Sequence, residues 1–330
     1  MHPLELSILI VHYNTPDLLR PMFEHLFQAL SLPDGSKIPH EIIVVDNASK
    51  LSCEALVTQC APNAKFIQNT SNVGFGRANN QVLAQSSGRF VLLLNTDAFI
   101  AKDSLHKTLA FMNAQARCGV LGVKLIGRDG SLQPSCRYFP TPLNSFLQRT
   151  GLAGFFPSVQ LTDNMQWDHA GVRECDWVPG CFYLIRRALI DQVGLFDSRY
   201  FMYFEEVDHC KLAKAAGWQV MYFGDTSAVH LGGESAKTEH AVTKHGAQIS
   251  ELQLESELLY FRKHYGLVGV LLHLALGAIA ATAAGAKRLV FKSPQAGNRS
   301  RFKNALSSFG DAKRSWRAFA STSYATVPSR

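Results

Sequence analysis

The chain has 330 residues, with 47% hydrophobic and 18% charged side chains, enough for one large α/β domain or a domain with appendages. Its formal charge of +7 is uneven: from Lys287 onward ten Lys or Arg face one acid, Asp311, giving +9 for the tail and −2 for residues 1–286. That distribution, with no RNP, zinc-finger or helix-turn-helix signature, argues against a nucleic-acid partner. Seven cysteines without a CxxC pair argue against a zinc module or disulfide framework and for reduced thiols in the cytosol. No signal-like segment opens the chain, so a cytoplasmic protein is expected.

Apolar runs then alternate with helix-like segments through residue 125, the pattern of a mainly parallel sheet built from βαβ units. Strands are expected at Leu6 to Val11, Glu41 to Val45, Ala64 to Gln68, Phe90 to Leu94 and Gly119 to Val123. Helices are expected near Asp17 to Leu30, Leu51 to Cys60, Gly74 to Ser86 and Ser104 to Ala114. Two strands end in carboxylates, Asp46 and Asp97, where open α/β sheets hold their ligands. Two such acids suit a metal, a ribose or a base better than a bare anion.

Residues 126–176 lack a period and read as an excursion or mobile loop that touches an acceptor. Trp177 to Arg187 is a strand passing into a helix that stops before Gly194. Phe201 to Leu212 changes from aromatic and extended to helical at Glu205, Glu206 and Asp208, which places three acids in a first helical turn. Strands near Val220 to Phe223 and Ala228 to Leu231 follow, then an amphipathic helix from about His240 to His264. Leu267 to Ala286 is free of charge and closed by Lys287 and Arg288; its small residues favour a segment lying in the membrane interface over a full span. A core helix is the bland alternative. The basic tail favours an anionic membrane surface as partner.

Four features carry chemistry, each with a structural alternative. Asn72-Val73-Gly74-Phe75-Gly76 follows a strand and opens a helix, where glycines admit a phosphate or merely serve the turn. Asn95-Thr96-Asp97 offers an amide and a carboxylate to a hard cation, or caps a turn. Among Glu205, Glu206 and Asp208 one acid could be a general base, its proton affinity raised by its neighbours; capping is the other reading. His230, before Leu231-Gly232-Gly233, is a metal ligand, a phosphate contact or a structural histidine.

In their order along the chain, Ser7 to Asn14, Val44 to Ser49, Asn72 to Gly76, Leu93 to Asp97, Gly180 to Arg187 and Tyr203 to Asp208 resemble the family 2 glycosyltransferases of GT-A fold, most of all the bacterial rhamnosyltransferase branch. The resemblance covers about residues 5–265. It implies a Rossmann-like α/β nucleotide-diphospho-sugar fold, with a nucleotide-sugar half at 1–125 and an acceptor and catalytic half at 126–265; the membrane-associating segment expected at 266–330 lies outside the resemblance and rests on its apolar and basic composition. The resemblance further implies that Tyr13, Asn14 and Asp46 hold base and ribose, that Asn72, Gly74 and Asn95 line the nucleotide-sugar site, and that Asp97 is the metal acid of a D-x-D motif whose first Asp is here Asn95. Glu206 matches the catalytic base, with Glu205 and Asp208 as possible supporting acids, and His230 matches a histidine that ligates metal in some relatives.

The expected reaction is inverting transfer of a sugar, with Mg2+ or Mn2+ neutralising the departing diphosphate. Deoxythymidine diphosphate rhamnose is the expected donor, with uridine diphosphate sugars the alternative. The expected acceptor is a lipid-linked saccharide at the inner face of the cell membrane, in surface polysaccharide synthesis. Competing readings are a nucleotidyltransferase acting on sugar phosphates, which needs no Glu206 base, and a non-catalytic nucleotide-sugar-binding membrane protein.

Overall fold

The structure, a computed structural model, describes residues 4–156, 159, 162, 165, 167–232 and 247–291. Its centre is β1 (Leu6–His12), joined in parallel on one side to β2 (His40–Asp46) and β3 (Lys65–Gln68), and on the other to β4 (Phe90–Leu94). The chain thus leaves β1 in both directions, which makes the β1/β4 edge a topological switch point where such sheets open a ligand crevice. Beyond β4 the ten-stranded sheet continues with β9 (Phe182–Arg186), β6 (Cys118–Ile126), β10 (Gln219–His230) and β5 (Ala98–Ile100); short β7 (Leu132–Gln133) and β8 (Val172–Glu174) pair with β6 and β10.

The sheet is mainly parallel, with β9 antiparallel to both its neighbours and β5 antiparallel to β10. Because β9 inserts between β4 and β6, one sheet runs across the expected boundary at 125 and 126. Strand β4 is buried along its whole length. Phe90, Leu92 and Leu94 enter the core under α1 (Pro16–Ala29), α2 (Glu54–Cys60) and α4 (Ser104–Ala114), while Val91 and Leu93 enter the opposite core. At ~1.5–3 kcal/mol for each fully buried large apolar side chain, this strand fixes the register of everything around it.

The opposite core is covered by α3 (Phe75–Leu83), α6 (Arg187–Val193), α7 (Glu205–Ala215) and the first half of α8 (Ala247–Phe291). Helix α4 has the expected bounds. The two strands expected at 220–223 and 228–231 are one strand, β10, with a register shift between Phe223 and Ser227. The aperiodic stretch holds α5 (Pro142–Thr150), which a capping box between Thr141 and Asn144, Pro142 in the first turn and a left-handed Gly151 delimit, followed by a 3₁₀ turn at Leu152–Phe155. Those local signals outweigh the missing hydrophobic period.

The expected helix start at His240 and the tail beyond Phe291 lie outside the described residues. Helix α8 continues past its expected end at His264, with a break at Gly266, whose φ is 66° and ψ −165°. All seven cysteines are free thiols.

Candidate active site

The C-terminal ends of β1, β2 and β4 open on one edge. Register pairs His12 with Asp46 at the ends of β1 and β2. The Thr15 and Thr96 hydroxyls, 3.0 Å apart, join the turn after β1 to the turn after β4. Asn14, at φ 53°, donates its main-chain N–H to Ser49 Oγ at 2.9 Å and accepts from Lys50 N through Oδ1, so it clips the turn after β2. Half-buried Tyr13 stands beside it.

Asp46 itself is turned inward and fully buried. Its Oδ1 accepts from Ser49 N at 2.8 Å and its Oδ2 from Cys53 N at 3.1 Å, with His12 Nδ1 3.6 Å away. Those hydrogen bonds hold its pKa well below the usual carboxylate range despite burial. The carboxylate expected at the ribose therefore shapes the turn from beneath. His12, Asp46 and Cys53 do cluster closely enough to suggest a metal. Burial and the Asp46 charge push the Cys53 thiol up, and both Asp46 oxygens are already taken by Ser49 N and Cys53 N, so hydrogen bonding within the turn accounts for the cluster.

Asn72 and Gly74 are likewise explained locally. Asn72 Oδ1 accepts from Asn47 Nδ2 at 2.8 Å and Gly74 N at 3.0 Å. Gly74 has φ 88°, and a Cβ there would lie 2.3 Å from the Phe201 carbonyl oxygen. The glycine admits the 201 loop, whose carbonyl accepts from Phe75 N at 2.9 Å. The structural alternative for this turn, close packing of backbone, accounts for the residue without a phosphate.

Asp97 lies in the turn after β4, with Asn95 accepting from Ala98 N and donating its own N–H to the Cys181 carbonyl at 3.0 Å. Pairing of β10 with β5 sets His230 opposite Ala98, and its Nε2 comes 3.7 Å from Asp97 Oδ1. Gln133 decides what that means. Its Nε2 donates to the His230 carbonyl at 2.9 Å, leaving Oε1 to accept from His230 Nδ1 at 3.0 Å. Nδ1 is thus the donor toward Gln133, and Nε2 is the atom turned to the Asp97 carboxylate, the orientation a metal-ligating histidine takes. Ligand atoms about 2.1 Å from an octahedral ion sit roughly 3 Å apart, within reach of a small side-chain adjustment. Asp97 and His230 therefore fit a divalent cation, with Asn95 at the rim of the same turn.

The three acids at the start of α7 separate by environment. Asp208 is 1% exposed and bound by Lys263 Nζ and His264 Nε2 of α8, each at 2.7 Å. It fastens α8 to α7 and does not face the opening. Glu205 is 5% exposed, packed toward Gly76 on α3, and burial together with the Glu206 charge pushes its pKa well up. Glu206 alone stays half-buried; its pKa is raised by burial, while the Arg137 charge pulls the other way. Of the three, Glu206 is the most open, and its Oε2 is buried without a hydrogen-bond partner.

Two left-handed aromatic residues, Tyr203 at φ 70° and Phe204 at φ 67°, precede these acids. Such conformations cost about 1–3 kcal/mol each and persist only where neighbours impose them. Here Phe201 is bound to Phe75, Ser256 Oγ donates to the Met202 carbonyl at 2.7 Å, and Phe204 packs on Tyr260. The strained turn aims Glu206.

Cys181 ties the two groups together. Its carbonyl accepts from Asn95 N at 3.0 Å, in the turn that carries Asp97, and a Cβ on the preceding Gly180 would lie 4.0 Å from Glu206 Cβ. Three contributors escaped the sequence reading: Gln133, Cys181, and Arg137, which lies 4.5 Å over the Trp177 ring and within electrostatic reach of Glu206. Gln133 and Arg137 lie in the aperiodic stretch, and no spacing marks them.

Residues 7–163 match the family model described as glycosyl transferase family 2. The match spans just under half of the chain. Among relatives, N-acetylglucosaminyl-diphospho-decaprenol L-rhamnosyltransferase of Mycobacterium tuberculosis is 29% identical over 223 residues, covering 64% of this chain and 72% of the relative. Rhamnosyltransferase WbbL of Escherichia coli is 26% identical over 234 residues, covering 68% and 82%. The fold is shared with a mannosyltransferase from Pyrobaculum calidifontis solved in complex with GDP-mannose and Mn2+, at a TM-score of 0.55, 17% identity, and coverage of 96% of this chain and 83% of that one. The GT-A α/β architecture expected from the sequence is thus the observed one.

Proposed function

We propose that this glycosyltransferase moves rhamnose, with inversion, from a nucleotide diphosphate sugar to a hydroxyl of a lipid-linked saccharide at the inner face of the cell membrane. The observation that carries the reading is that the Gly180-Cys181 segment bonds the turn of Asp97, which His230 approaches to 3.7 Å, and lies beside Glu206. In the reaction Glu206 accepts the proton of the acceptor hydroxyl as that oxygen bonds to the anomeric carbon, and the bond from that carbon to the diphosphate oxygen breaks on the opposite face. Desolvation raises the Glu206 proton affinity, as a proton acceptor requires, and the Arg137 charge opposes that rise. A divalent cation, Mg2+ or Mn2+, held by Asp97 and His230 would neutralise charge on the leaving diphosphate.

Tyr13, Asn14 and Asn95 are the donor-facing groups in this scheme; Asp46, Asn72 and Gly74 hold the turns that present them. Residues 1–125 act as the donor half, 126–265 as the acceptor and catalytic half, and 266–330 as the membrane-associating segment. The names of the mycobacterial and Escherichia coli relatives support rhamnose, and the mycobacterial name supports a diphospholipid-linked acceptor. Deoxythymidine diphosphate is the proposed nucleotide, uridine diphosphate the alternative. The test is transfer from labelled donors to a lipid-linked N-acetylglucosamine acceptor with and without Mg2+ or Mn2+. Transfer should be strongest with deoxythymidine diphosphate rhamnose, depend on the cation, and fall by at least about a hundredfold in Asp97→Ala. Undiminished transfer after chelation would remove the metal role, and pyrophosphate release from a nucleoside triphosphate as its nucleotidyl group passes to a sugar phosphate would favour a nucleotidyltransferase.

A further inference from the structure

The break at Gly266 divides α8 into two halves with different surroundings. In the first half, Leu258, Leu259, Tyr260 and Phe261 are buried in the core, and Glu257 pairs with Arg149 of α5 and with His273 of the second half. By length and composition Leu252–Ala280 could cross a bilayer. Its first half is nevertheless committed to the enzyme body, and the second half buries Val270 and His273 on the side toward α5. A helix with one face held by protein and an interior ion pair does not cross a bilayer alone.

The other face of this second half is apolar and open. Val268, Leu271, Leu272 and Ile279 are exposed at helical spacing, with Val268 at 76%. The 3₁₀ turn following α5 exposes Phe155, at 79%, and Phe156. Helix α5 packs on α8, and Gly277 of α8 lies against Arg149 near the end of α5, so turn and stripe are carried by two helices packed on one another. Large aromatics seldom stand this far into water without a partner.

Charge selects that partner. Between Glu257 and Asp311 the sequence has no acid and eight Lys or Arg. A second copy would set basic segment against basic segment, whereas an anionic leaflet supplies the opposite sign. We propose that Phe155, Phe156 and the stripe Val268, Leu271, Leu272 and Ile279 form one docking surface that inserts into the interface of an anionic membrane, with α8 lying in the plane of that interface. The helix that carries the stripe is fastened to the elements that carry the site: Tyr265 Oη donates to the Pro140 carbonyl at 3.3 Å, three residues from Arg137, and Lys263 and His264 grip Asp208 of α7. Docking would bring the Glu206 side of the enzyme to a lipid-linked acceptor, and to that extent the proposal deepens the function given above.

Vesicle binding tests it apart from catalysis. The full chain should sediment with phosphatidylcholine vesicles containing phosphatidylglycerol and much less with phosphatidylcholine alone. The double variants Phe155→Ser with Phe156→Ser, and Val268→Ser with Leu272→Ser, should each lower the partition coefficient at least about tenfold. Both should retain the thermal unfolding midpoint and the rate of transfer to a detergent-solubilised acceptor. Loss of transfer activity in every form of the protein, with vesicle binding intact, would count against the function and leave the docking surface standing. Unchanged sedimentation of both variants would overturn the proposal. So would a parent dimer in light scattering that these substitutions make monomeric while vesicle binding persists, since the patch would then cover a second copy.

Discussion

Replacing Gly74 with alanine separates a glycine that admits backbone from one that cradles phosphate. Its φ of 88° and ψ of 162° fall in a region that is essentially glycine-only, a cost of about 1–3 kcal/mol for alanine. The added Cβ would stand 2.3 Å from the Phe201 carbonyl oxygen and 3.0 Å from its carbon, both main-chain atoms that move only with the whole 201 loop. That movement breaks the hydrogen bond from Phe75 N, adding about 0.5–1.5 kcal/mol. Gly74→Ala should therefore lose roughly 3 kcal/mol, a fall of about 4–6 °C in Tm for a domain of this size. Because the displaced loop carries Tyr203 and Phe204 into α7, kcat should fall with it, while donor binding measured by calorimetry stays within about twofold. Unchanged stability with donor affinity weakened tenfold or more would refute this packing account and return the glycine to the phosphates.

Glu205→Gln should stabilise the enzyme at neutral pH, because burial raises the Glu205 pKa well above its ordinary value. The folded state then holds a proton that the unfolded chain releases, so parent stability declines as pH rises from the ordinary glutamate pKa of about 4.3 to the raised folded value. Urea titrations at several pH values should show the variant and parent converging below about pH 4 and separating above it; a difference of opposite sign would contradict the burial argument. Arg137→Met removes the charge that lowers the Glu206 proton affinity. The acidic limb of the pH–rate profile should shift upward, with activity recovering at higher pH; a uniform loss at every pH would instead assign Arg137 to substrate binding.

How much of this site was legible in the sequence depended on whether a residue's task is local. The apolar run Phe90 to Leu94 declares a strand buried on both sides, and its end places Asp97. The acids at 205, 206 and 208 declare a helix start. Which of the three is available was not legible, because Asp208 is claimed by Lys263 and His264 more than fifty residues away. Asp46 shows the same limit: a strand-end acid reads as a ligand group, but the turn after β2 folds its own amides onto it. Gln133 emerges only when β7 and β10 are brought together through β6, since its task is to fix the tautomer of a histidine 97 positions on. The periodic signal of α8 also ran past its expected end, because its buried face simply changes partner at Gly266.

The central claim is that Glu206 takes the acceptor proton, and Glu206→Gln in a single-turnover transfer assay tests it most directly. The amide keeps the size of the side chain and removes the base, so transfer should fall by about 10²–10⁴-fold while donor affinity, set on the Asp97 side of Cys181, stays unchanged. A variant that transfers sugar at near the parent rate would contradict the assignment and require another group to accept the proton.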